Sequence, residues 1–75
     1  MGISISVDSH DEEEREIDSL ISEAKWDMYG GEWIEAIAKL KSAKKIAIRI
    51  HDKARIDIIL DLINKASNQQ RVELT

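Results

Sequence analysis

The chain has 75 residues, with 15 acidic and 11 basic side chains and a formal net charge of -4. It is long enough for one small domain, and a chain of this size buries only about 60% of the surface its unfolded state exposes. Cysteine is absent, which excludes disulfides and cysteine-based zinc sites, and no apolar run approaches the roughly 20 residues of a membrane span.

Residues 1–7 alternate Ile3, Ile5 and Val7 with serines, a strand-like period of two. A single short strand does not stand alone. Residues 1–8 therefore read as a flexible tail, or as an apolar arm that docks on a neighbouring chain. Met1-Gly2 fits the loose myristoylation pattern, but an acidic run follows in place of the basic second signal that stable anchoring takes.

The domain is expected over residues 9–67. Ser9 and Glu12 have the spacing of a capping box, so a first helix should open near Ser9, with Asp11, Glu12 and Glu13 at the favourable end of the helix dipole. Ile17, Leu20, Ile21, Ala24 and Met28 form its apolar face. Trp26 and Tyr29 lie three apart on another flank. Gly30-Gly31 should end the helix, because glycine adopts the left-handed conformation without strain.

A second helix is expected from Glu32 to Arg49 or Ile50. Trp33, Ala36, Ile37, Leu40, Ala43 and Ala47 form its main face. Ile34, Ile46, Ile48 and Ile50 carry apolar character further round the cylinder, which implies more than one neighbour. Ile50-His51-Asp52-Lys53 is the one candidate break before a third helix, with Asp52 as its N-cap. No glycine or proline enforces that break, and the alternative is one long helix over 32–67 in a hairpin that pairs with another copy. The third helix is expected over 53–67, with Ile56, Ile59, Leu60, Ile63 and Ala66 facing the core. Asn68-Gln69-Gln70 reads as its exit, and 68–75 as a C-terminal tail. The fold class is thus all-α, an antiparallel three-helix array built from a helical hairpin plus a third helix.

Charge is segregated along the chain. Residues 8–35 hold eleven acids and two bases, and residues 36–75 hold nine bases and four acids. Such asymmetry fits either a nucleic-acid face or two helices that attract each other within one fold. Lys41, Lys44, Lys45 and Arg49 are the candidate phosphate contacts, yet no aromatic or polar base reader is interleaved, so nucleic acid is the lesser reading. Glu35 with Lys39, and Asp61 with Lys65, are helical ion pairs by spacing. His10 and His51 lack the fixed partners of a metal site, and no nucleophile sits beside a plausible base. No metal, cofactor or catalytic activity is expected.

Residues 31–43 resemble the second half of a tetratricopeptide repeat, a two-helix unit of 34 residues. Gly31 matches the small residue of the turn and Trp33 the aromatic after it. Ala36, Leu40 and Ala43 match the small, large and small positions of the second helix. Leu20 and Ala24 match the first helix. Asp27 stands where the family has an aromatic, and Ile48 stands near the place of its closing proline. The resemblance spans residues 17–66. The chain also resembles the three-helix microtubule-interacting-and-transport domain, which matches its length better. Both resemblances imply a non-catalytic module that binds peptides or helices in grooves. In that reading Gly30, Gly31, Trp33, Ala36, Leu40 and Ala43 build the hairpin. Ile34, Ile48, Ile58 and Leu62 are left over as contact residues for a protein partner or a second copy in a cytoplasmic homo-oligomer.

Overall fold

The computed structural model describes residues 10–74. The predicted Ser9 cap and the alternation of Ile3, Ile5 and Val7 lie outside them. Three helices follow in order: α1 (Asp11–Tyr29), α2 (Trp33–Arg49) and α3 (Lys53–Leu74). His10 occupies the N-cap of α1 and makes no side-chain cap hydrogen bond. The first turn of α1 gains its stabilisation from Asp11, Glu12, Glu13 and Glu14 against the dipole.

Each connection is three residues long and uses the same device. At the first, Glu32 N–H donates to the Asp27 carbonyl (2.8 Å) and Gly31 N–H to that of Met28 (3.1 Å). At the second, Asp52 N–H donates to the Ala47 carbonyl (2.9 Å) and His51 N–H to that of Ile48 (3.1 Å). Both are Schellman motifs, which require a left-handed residue just past the helix end. Gly31 fills that place with φ 78° and His51 with φ 57°. The break between α2 and α3 therefore forms without glycine, which overturns the alternative of one continuous helix. Gly30 has φ -87° and is not the left-handed residue of its turn.

Asp52 serves both helices that it joins. Its backbone closes α2, and its side chain caps α3 by accepting from Arg55 N–H at 3.2 Å. The third helix then runs through Asn68, Gln69 and Gln70, where composition reads as an exit, and ends at Leu74. No glycine or proline stops it, and Gln70 lies beside Ile34, Ile37, Ala38 and Lys41 of α2.

The core is aliphatic. Ile17, Leu40 and Ile59 are its largest fully buried side chains, one from each helix. Around them Ala24, Ala36, Ala43, Ala47 and Ala66 are wholly buried. Alanine at a crossing lets helix axes approach the short end of the usual range of about 8–10 Å. The helices α1 and α2 pack closely, as do α2 and α3, whereas α1 and α3 touch little. Leu60, expected in the core, is 42% exposed, because the core face of α3 centres on Ile59, Ile63 and Ala66. No described helix is long and apolar enough to cross a membrane.

The left-handed positions give a paired test by chemical denaturation. His51→Gly relieves a strain of about 1–2 kcal/mol, against a glycine entropy cost of about 0.5–1 kcal/mol. It should stabilise the chain by about 0.5–1 kcal/mol. Gly31→Ala should destabilise it by about 1 kcal/mol. Gly30→Ala should be tolerated, since an added Cβ meets nothing nearer than the Asp27 carbonyl oxygen at 3.7 Å. Equal responses at positions 30 and 31 would contradict the assignment.

Candidate functional site

The two outer helices run parallel and touch little, joined through one side chain. The joint is Arg55. Its Nε and Nη2 donate to the two carboxylate oxygens of Asp18 on α1, at 2.9 and 3.0 Å. Its Nη1 donates to Asp52 at 2.5 Å. The Arg55 guanidinium holds the Asp18 and Asp52 carboxyls below the usual carboxylate range, and the two carboxylates raise the pKa of Arg55. One side chain thus ties the second turn to the first half of α1. Its charge also offsets that of Asp18, which stands four residues from Glu14 on the same helix.

A different ion pair binds α1 to α2. Lys39, placed by spacing with Glu35, reaches across to Asp27 (2.7 Å) and Glu23 (3.7 Å). Asp27 first, then Glu23 and Glu35, holds the ammonium above its ordinary value. Segregated charge therefore acts within the fold, as one of the two sequence readings has it. Asp61 and Lys65 pair as expected, at 3.4 Å.

Away from Arg55 the outer helices leave a groove of about 470 Å³. Lys25, Met28 and Tyr29 line it from α1, Trp33 from α2, and Leu62, Lys65 and Gln69 from α3. Trp33 is only partly buried, so it serves as groove wall and not as the interior of the hairpin. Its indole Nε1 is buried with no hydrogen-bond partner among the described residues. Beside the groove, Trp26 and Tyr29 meet edge to face with centroids 5.9 Å apart and ring planes at 62°. They are 74% and 84% exposed. An aromatic edge pair of this kind contributes about 0.5–1.5 kcal/mol beyond its area and here stands in solvent.

The four expected contact residues do not share one surface. Ile34 and Ile48 are exposed on α2, 68% and 51%. They are about four turns apart, so they share a side. Each lies beside a shallow depression along the seam with α3. Ile58 is half exposed on α3. Leu62, one turn further, is partly buried, packs against the core and lines the groove. Of the hairpin residues, Ala36, Leu40 and Ala43 are fully buried, as expected. Lys41, Lys45 and Arg49 are exposed, but Lys44 is partly buried. With Lys44, they spread over roughly 140° of the helix, so they form no single stripe. Among the described residues no group of three or more His, Cys, Asp or Glu side chains could hold a metal ion.

Sequence reasoning passed over Lys25, Met28, Lys65 and Gln69 as groove residues and Arg55 as a clamp. The available signal was Trp26 and Tyr29, two large rings off the apolar face of α1. No protein-family model, curated protein or solved structure matches the chain.

The clamp has a pH signature. Asp18 and Asp52 are held below their unfolded values, so their contribution is complete above about pH 4 and is lost as pH falls through the folded values. The stability advantage of the wild type over Arg55→Gln should therefore be full at neutral pH and shrink on acidification below about pH 4. Thermal melts of both proteins across that range check it. An advantage unchanged at low pH would mean that Arg55 acts by packing alone.

Proposed function

We propose that the chain is a non-catalytic protein–protein interaction module that binds a partner helix, or a second copy of itself, through apolar helix surfaces. The observation that carries this reading is the amount of large apolar side chain left outside the core. Trp26, Tyr29, Ile34, Ile48, Ile58, Leu60 and Val72 are all substantially exposed. Among them Trp26 and Tyr29 stand in contact with each other; grouped exposed apolar surface marks an interaction site, and small helical domains commonly take added stability from association. A tetratricopeptide-like hairpin with an extra helix, acting as an adaptor in the cytoplasm, is the form of this reading that the spacing of Gly31, Trp33, Ala36, Leu40 and Ala43 supports. The close alanine-lined packing of α1 on α2 is consistent with it.

The alternative is a small regulatory, nucleic-acid-associated factor using Lys41, Lys44, Lys45 and Arg49. It has less support, because those four side chains diverge around α2.

The surface of α2 is the place to test self-association. Ile34→Asp with Ile48→Asp changes two exposed residues and leaves the core intact. Light scattering of the wild type at high concentration should give a mass above that of one chain. The double variant should return to one chain with unchanged helical circular dichroism. A monomeric wild type would remove self-association from the proposal. Leu62 is unsuited to such a test, since an aspartate there would sit against the core.

A further inference from the structure

We propose that the groove between α1 and α3 takes an acidic amphipathic helix of a partner protein. The inference rests on the interaction-module reading and names the partner's chemistry at one face. Three observations converge on it. The groove's lining is mostly apolar, with Met28, Trp33 and Leu62 contributed by the three helices, and it opens to solvent. Its charged lining is cationic on both sides, Lys25 from α1 and Lys65 from α3, and no carboxylate lines it. The Trp33 ring, only partly buried, stands in the groove wall and offers apolar surface to a ligand.

A helix laid between two parallel helices presents one apolar stripe downward and two flanks sideways. Apolar side chains at i, i+4 and i+7 would cover Met28, Trp33 and Leu62. Glutamates on the flanks would meet Lys25 and Lys65. Lys25 has no ion pair among the described residues. Lys65 shares Asp61 with solvent, both side chains being about two-thirds exposed at 3.4 Å. Both ammonium groups are thus open to a better partner.

Charge also decides between occupants. A second copy placed here by a twofold axis would bring lysine-rimmed grooves face to face, which like-charge repulsion opposes. A nucleic acid would meet the lysines and could stack on Tyr29 or Trp33, but two lysines neutralise little of a phosphate backbone, and Met28 and Leu62 offer its bases no polar partner. An acidic amphipathic helix satisfies the lysines and the apolar lining together.

The test uses calorimetric titration of the full chain with capped synthetic peptides of about 15 residues, long enough to form helix on binding. One peptide carries leucines at i, i+4 and i+7 with glutamates on its flanks. A second has lysines in place of the glutamates, and a third has serines in place of the leucines. A single-stranded oligonucleotide is the fourth ligand. The glutamate–leucine peptide should bind, and the other three should not. Lys25→Glu with Lys65→Glu, both at exposed positions, should weaken that peptide by about tenfold or more and confer binding of the lysine-flanked one.

Equal binding of both leucine peptides, no binding of either, or an affinity unmoved by the charge reversal would each overturn the proposal. Lysine-dependent binding of the oligonucleotide alone would overturn it in favour of nucleic acid. Loss of the groove proposal together with a mass that still depends on Ile34 and Ile48 would leave the interaction module standing on its other face. Loss of both would remove the module itself.

Discussion

The fold depends on three residues, Ile50, His51 and Asp52. They reverse the chain where no glycine or proline is available, and every later feature follows from that reversal. Without it α3 would continue α2, Ile59 would leave the core, and Arg55 could not reach Asp18. The reversal is held by two backbone hydrogen bonds and by one residue whose backbone lies in the left-handed region. Histidine is among the few residues other than glycine that populate this region with some frequency. Asp52 makes the turn efficient, because it closes one helix with its backbone and opens the next with its carboxylate. Arg55 then binds that carboxylate, so cap, turn and interhelical clamp form one connected unit.

The groove is the geometric complement of that unit. Arg55 draws α1 and α3 together at the end of the bundle where Asp18 and Asp52 meet. Small residues on α2 hold both outer helices against the middle one. The outer helices touch little elsewhere, and the groove lies between them beside Tyr29 and Gln69. Trp33, only partly buried, forms part of its wall. Three simple helices with one clamp thus leave an open cleft.

Much of the fold was legible in the sequence, and the reason is periodicity. The spacings Ile17–Ile21–Ala24 and Ala36–Leu40–Ala43–Ala47 report one buried face each, and helix existence follows from such faces. Gly31 and Asp52 are local signals with local consequences. The left-handed role of His51 was not legible, because histidine tolerates that region without signalling it, and the turn is set by the bonds of His51 and Asp52 N–H to the Ile48 and Ala47 carbonyls. The end of α3 was misplaced because Asn68 and Gln69-Gln70 resemble a loop by composition, while Gln70 lies beside Ile34 and Ile37 of α2 and the helix runs on to Leu74. The candidate site was less legible than the fold. Its lining is shared by three helices, and spacing along one helix says nothing about which flank meets which. Lys25 and Lys65 are 40 positions apart and become neighbours of one cleft only when α1 and α3 run parallel. Leu62, left off the core face by spacing alone, is claimed by both core and groove for the same reason.

The core described above contains no aromatic ring among the described residues, and this has a spectroscopic consequence. The two tryptophans stand in different surroundings, Trp26 mostly in solvent and Trp33 in the wall of the cleft. Intrinsic fluorescence of this chain therefore reports its surface more than its interior. Unfolding changes little around Trp26, whereas any molecule lying over Trp33 replaces water next to an indole. The emission colour of the protein is in effect a built-in gauge of what occupies the cleft, and backbone circular dichroism is the independent measure of whether the helices are intact.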